Sequence, residues 1–261
     1  MFMWGAYLGL TGLNVAVALL SGGSALMLIP VIILVMVTMA LVGVLVERVA
    51  YRPLRSAGRL APVISALGVA FILQSLARNV YGASWKTYPN VLALGGRINL
   101  GGGASVAVMQ IVVLAVSFAL MGALYLFVQR TRIGTAMRAV SLDHDVSRLM
   151  GIDVNRIIAI VFLIGPGLGG IAGVIVGVYY GSFDFTLGWV FGLKAFIAAI
   201  LGGIGNIPGA MLGGMILGII ETLGAGYLSP QWKDVLAYLI LIFILIVRPT
   251  GLLGERVAEK L

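Results

Sequence analysis

The sequence contains no cysteine and a single histidine, His144, in 261 residues. The first absence excludes disulfides, thiolate metal sites and cysteine nucleophiles, and the second excludes a histidine cluster. Charge is also scarce. Charged residues make up 10% of the chain and hydrophobic ones 61%, whereas roughly a quarter of a soluble domain is charged. A water-soluble core of this size could not bury so much apolar surface, so lipid must cover the remainder. No Gly-Lys dipeptide occurs anywhere, which excludes a Walker A loop, whose backbone amides and lysine hold nucleotide phosphates. No acid pair, thiol or histidine cluster sits at a membrane face, and the chain is not expected to be an enzyme.

Long apolar runs and 37 glycines are what the chain has instead. Glycine is frequent in membrane helices because it lets backbones approach closely. The net charge of +8 raises nucleic acid as a partner, but the basic residues lie between the apolar runs. That is the pattern of membrane topology, so the expected partner is a lipid bilayer and not nucleic acid.

A hydrocarbon core of about 30 Å takes roughly 20 apolar residues as helix. Passes are expected at about 4–20, 25–46, 60–77, 104–128, 157–180, 190–204, 207–227 and 234–247. The fold class is therefore all-α: a polytopic transmembrane helical bundle of about eight passes, in one transmembrane domain spanning 1–261. Breaks are expected at the Gly/Pro-rich stretches 165–170 and 202–209, and the second leaves open whether 190–227 is one broken element or two passes. Twelve Lys and Arg fall in segments 47–59, 129–156 and 248–261, against four in the alternate loops. The richer side is expected to be cytoplasmic, with both termini on it.

The segment 129–156 is too polar to span. Ser141 reads as a helix N-cap, with Asp143 and Asp145 in the first turn, Arg148 in the last and Gly151 at the left-handed position after it. Leu142, Val146, Leu149 and Met150 fall on one face at helical spacing. Such a helix either lies on its own bundle or docks into a groove on a soluble partner.

The run from Gly134 through Arg138-Ala139 to Gly151-Ile152 resembles the cytoplasmic coupling segment of branched-chain amino acid ABC permeases. So do Glu47-Arg48-Val49-Ala50-Tyr51-Arg52-Pro53-Leu54-Arg55 and Arg59-Leu60-Ala61-Pro62. The strongest likeness is Gly192-Leu193-Lys194-Ala195-Phe196 followed by Leu201-Gly202-Gly203-Ile204-Gly205-Asn206-Ile207-Pro208-Gly209-Ala210. It continues through Glu221, Lys233-Asp234 and Arg248-Pro249-Thr250-Gly251. The resemblance covers nearly the whole chain and is closer to the H-type of the two permease subunits. The family carries a further N-terminal membrane stretch ahead of the equivalent of Trp4-Gly5-Ala6-Tyr7, where this chain begins.

The resemblance implies a permease subunit of an ATP-driven importer of branched-chain amino acids, in a bacterial cytoplasmic membrane. It implies no cofactor bound by this chain, with ATP and Mg used by two separate ABC ATPase subunits. It also implies a second, homologous permease subunit and a periplasmic or extracytoplasmic amino-acid-binding protein. Residues Gly134, Arg138, Ala139, Leu142, Val146, Leu149, Met150 and Gly151 would couple to the ATPases. An ABC permease for urea, a nucleoside or another small polar solute shares this body plan. A self-sufficient secondary transporter would need paired in-membrane acids, and only Glu221 is available.

Lys194 and Glu221 are the charged residues well inside the expected passes. Their depths differ by roughly 3 Å at 1.5 Å per residue, so they can pair. The pair either ties two passes together or lines the substrate path. Gly202, Gly203, Asn206 and Pro208 are further path candidates, because a broken helix exposes backbone groups to a zwitterion. The structural alternative there is close helix packing. In the outer loop 78–103, Tyr81, Trp85, Tyr88 and Gly101-Gly102-Gly103 are candidates for contact with a binding protein or for an interfacial aromatic belt.

Overall fold

The apolar runs fold as helices. The computed structural model describes residues 1–20, 27–54, 61–89, 96–99, 105–248 and 250–254. Arg55, Arg59-Leu60, Gly101-Gly102-Gly103 and Pro249 lie outside the described residues. The helices are α1 (Phe2–Leu20), α2 (Leu28–Val46), α3 (Ala61–Tyr81), α4 (Val108–Arg130), α5 (Arg132–Leu142), α6 (His144–Leu149), α7 (Val154–Tyr180), α8 (Leu187–Gly202), α9 (Ile207–Tyr227) and α10 (Lys233–Val247). A π-turn, Glu47–Tyr51, and a 3-10 turn, Arg52–Leu54, continue α2 up to Pro53 and its neighbour.

Six of the helical segments are long and apolar enough to cross a membrane: Leu28–Leu54, Ala61–Tyr81, Val108–Arg130, Val154–Tyr180, Ile207–Tyr227 and Pro230–Val247. Two more, at the start of α1 and in α8, are apolar but shorter. The 16 residues of α8 rise about 24 Å, short of a hydrocarbon core of about 30 Å. Residues 190–227 are two helices rather than one broken element.

The chain divides into two compact units, Met1–Leu120 with Phe127–Gly188, and Met121–Leu126 with Trp189–Leu261. In the first, α1 and α2 pack on α7 through glycines. A Cβ at Gly5 would meet the backbone of Gly170, and one at Gly173 would meet the Phe2 carbonyl. The expected interruption at 165–170 is absent, because α7 runs unbroken through Pro166. Proline removes one N–H from the helix ladder. The carbonyl four residues back, that of Phe162, lies against Gly43 of α2, where a side chain would collide with it. The glycines therefore serve close packing.

Short β-bridges tie the loops of this unit. Strand β1 (Lys86–Thr87) pairs antiparallel with β4 (Ser182–Phe183), and β2 (Arg97–Asn99) with β3 (Ser105–Ala107). The β1–β4 pairing draws Tyr88 into the core, where its hydroxyl donates to the Ala6 carbonyl at 2.6 Å. Tyr81 stacks on Tyr7 at 4.3 Å. Of the three aromatics proposed for a surface belt, Tyr88 is buried and Trp85 is exposed.

In the second unit α8 and α9 form an antiparallel hairpin. A Cβ at Gly202 would strike the Gly209 carbonyl, and one at Gly213 the Ala198 carbonyl. Ile197, Ala198, Leu217 and Ala237 form the core between α8, α9 and α10.

Candidate functional site

Three groups of candidate residues can be placed, one in the first unit and two in the second. The coupling segment is two helices, not one. Thr131 caps α5 by accepting from Gly134 N at 3.0 Å. Asp143, rather than Ser141, caps α6: its carboxylate accepts from Asp145 N at 2.9 Å and Val146 N at 3.1 Å. Ser141 belongs to α5 and donates to the Arg138 carbonyl at 2.8 Å. An aspartate one residue before a six-residue helix gives two charge-assisted bonds, which a serine absorbed in the preceding helix cannot match. Gly151 takes φ +80°, as a left-handed residue after the helix end should.

Gly134 is buried where the carbonyls of Phe127 and Val128 leave no room for a Cβ. Arg138 folds back on the end of α4, donating to the Val128 carbonyl at 2.9 Å and to the Gln129 side chain. A cation there also complements the negative end of the helix dipole. Ala139 accepts from Asp143 N at 3.3 Å. Val140 is buried with Val154 and Ile157, which seats α5 on the start of α7. The apolar side chains that remain are turned outward. Leu149 is 85% exposed and Leu142 84%, with Val146 and Met150 also exposed. Gly134 and Arg138 thus fix the corner, while Leu142, Val146, Leu149 and Met150 present a surface.

The second group is ionic. Lys194 Nζ lies 2.9 Å from Glu221 Oε1 and donates a hydrogen bond to Oε2 at 3.0 Å. Oε1, although close, receives no well-directed hydrogen bond. Nζ is also 3.0 Å from Asp234 Oδ1, and Lys233 Nζ is 3.7 Å from Glu221 Oε2. Four alternating charges from α8, α9 and the first turn of α10 therefore meet. The Glu221 side chain is 8% exposed and that of Asp234 63%. Lys194 and Glu221 pair, as their similar depths allow. Lys233 and Asp234 are the members sequence reasoning did not assign to the site, because they stand at the head of the last pass and not within it. The adjacent Lys233-Asp234 pair was the available signal.

The third group is the α8–α9 turn. Gly203 and Gly205 adopt φ of +107° and +93°, which only glycine takes without strain. Asn206 caps α9 by accepting from Gly209 N at 2.8 Å, with Pro208 in the first turn. The end of α8 is closed by the chain beyond α10. Leu252 N donates to the Leu201 carbonyl at 2.9 Å and Leu253 N to the Gly202 carbonyl at 3.0 Å. Asn206 Nδ2 donates to the Leu253 carbonyl at 3.0 Å. The carbonyls freed at the end of α8 are thus satisfied within the chain. Gly202, Gly203, Asn206 and Pro208 come together with the C-terminal segment; the ionic cluster lies toward the other end of the hairpin.

Long apolar helices packed through glycine, with an ionic cluster held among them, define a multi-pass α-helical membrane protein. The comparison with known families is specific. The chain belongs to the family of the branched-chain amino acid transport system permease component, whose model matches residues 1–245. It is 39% identical over 263 residues to the high-affinity branched-chain amino acid transport system permease protein BraD of Pseudomonas aeruginosa, covering 99% of this chain and 85% of that protein. It is 43% identical over 219 residues to the corresponding permease protein LivH of Escherichia coli, covering 82% of this chain and 70% of that one. No solved structure matches the chain. The family is one of transport permeases rather than enzymes.

Proposed function

We propose that this chain is a permease subunit of an ATP-driven ABC importer that moves branched-chain amino acids across the bacterial cytoplasmic membrane. The observation that carries the reading is the likeness to BraD, which extends over 99% of the chain. The eight long or shorter apolar helices α1, α2, α3, α4, α7, α8, α9 and α10 act as eight passes of one permease domain, with both termini cytoplasmic. Two contacts support an even number of passes between the segments they join. The β1–β4 bridge joins the loops after α3 and α7, and the bonds from Leu252 and Leu253 join the ends of α8 and α10. An odd number of passes between either pair of ends would separate them.

Segment 129–156 couples the permease to its motor. Leu142, Val146, Leu149 and Met150 offer an apolar face outside the fold, as a helix entering a partner's groove would. Two ATPase subunits supply that groove and use ATP and Mg. A second, homologous permease and an extracytoplasmic binding protein complete the assembly. Lys194 and Glu221 lie on the substrate path. Uptake of labelled L-leucine, L-isoleucine and L-valine by cells whose own system is deleted tests the reading. Expression of the chain with its neighbouring subunits should restore uptake of all three. Restored uptake of urea or a nucleoside, without that of leucine, would replace the substrate assignment.

A further inference from the structure

Lys194 carries one charge and faces two carboxylates that are not equivalent. Glu221 is buried beside it, so opening that pair would leave a desolvated charge. Asp234 is mostly solvated, and water can take over its side of the bond. The exchangeable contact of the cluster is therefore Lys194–Asp234. The same two residues line a cavity of about 80 Å³ whose remaining wall is largely apolar, including Trp189, Leu193, Ile197, Ala237 and Tyr238. The cavity is open on one side, so the part of a ligand that exceeds this volume would project from its mouth.

We propose that this cavity is a subsite for the zwitterion of an aliphatic L-α-amino acid, which inserts between Lys194 and Asp234. The ligand carboxylate takes the place of the Asp234 carboxylate on Nζ. The freed Asp234 accepts the ligand ammonium group, and the aliphatic side chain lies against Leu193, Ile197 and Ala237. One ion pair becomes two, and no charge is left uncompensated. Each half of the ligand is needed. An amine without a carboxylate must break the Lys194–Asp234 bond and offers Lys194 nothing in return. A 2-keto acid leaves Asp234 without a cation. This assignment rests on the reading of the chain as an amino-acid permease.

The test uses the assembled importer in lipid nanodiscs, labelled with 5-fluorotryptophan. The chain has four tryptophans, and the Trp189 resonance is assigned by its loss in Trp189→Phe. Titration with L-leucine should shift the Trp189 fluorine resonance saturably. Isoamylamine and 4-methyl-2-oxopentanoate should bind at least about tenfold more weakly, as loss of a charge-assisted contact requires. Asp234→Asn should weaken leucine by a similar factor, and Leu193→Phe, which fills the cavity, should remove the shift. Equal binding of either half-ligand, or unchanged leucine binding in Asp234→Asn, would overturn the subsite. Leucine uptake by the same complex, reconstituted in sealed proteoliposomes, separates the two claims. Uptake without any Trp189 response refutes the subsite and leaves the permease reading standing. A Trp189 response without uptake of any branched-chain amino acid refutes the permease reading, and with it the subsite's place in transport, while leucine binding at Trp189 stands.

Discussion

Tyr7 and Tyr88 are buried in the same core with opposite hydrogen-bonding states. Tyr88 donates to the Ala6 carbonyl, and burial pushes its phenol far above the ordinary value, so it remains a donor at any physiological pH. The Tyr7 hydroxyl meets no partner among the described residues. Tyr88→Phe should cost about 1 kcal/mol, while Tyr7→Phe should be neutral or stabilising, since it removes an unsatisfied buried group. Thermal unfolding of the purified variants in one detergent measures both. The ionic cluster makes a second prediction at this scale. Breaking a buried pair costs about 3–5 kcal/mol in soluble proteins, but here each member has a substitute. Glu221→Gln leaves Lys194 with Asp234 at 3.0 Å, whereas Lys194→Met leaves buried Glu221, among the described residues, with Lys233 at 3.7 Å. Lys194→Met should therefore lower folded yield more than Glu221→Gln, and the double change should recover much of it. Recovery of yield without transport places the pair on the substrate path, and recovery of both makes it structural. Simple addition of the two effects would mean the side chains do not interact. That Lys194 and Glu221 could pair was legible from depth. That Lys233 and Asp234 join them was not, because proximity across a third helix leaves no trace in spacing.

At the scale of elements, the apolar runs located the helices closely, and their ends were harder to read. The coupling segment shows why. Its spacing reads as one helix, yet Leu142 ends α5 while Val146 and Leu149 lie on α6, and the break depends on which of two good capping residues, Ser141 or Asp143, wins the backbone amides. Likewise Pro166 reads as a helix breaker, but a glycine on the facing helix lets α7 pass through it unbroken. Periodicity reports one helix at a time, and such contacts belong to two. If the outward face of α6 is the docking surface, Leu149→Glu should insert and fold normally, because the side chain touches solvent and not the core. Co-purification of the ATPase subunits and transport-coupled hydrolysis should fall together. Unchanged co-purification and hydrolysis would show that the motor docks elsewhere.

At the scale of the whole molecule, charge asymmetry along the sequence predicts which side is cytoplasmic. The absence of cysteine makes the topology directly measurable. Ser147 is a poor reporter of the coupling segment because only 3% of it is exposed. Asp145 and Ser84 are exposed and suit the purpose. A membrane-impermeant maleimide should label Ser84→Cys in intact cells, and Asp145→Cys only after permeabilisation. The reverse pattern would invert the orientation. The family and class of the protein were legible because they are written in ordered motifs along the chain. The cavity beside Lys194 and Asp234 was not legible, since its wall comes from α8 and α10 together. The most direct measurement of the central claim is uptake of labelled L-leucine into proteoliposomes that contain this chain with the proposed partner permease, ATPases and binding protein. Uptake should require ATP and should vanish when this chain alone is omitted. Leucine accumulation that persists without this chain, or that proceeds without ATP, would contradict the account.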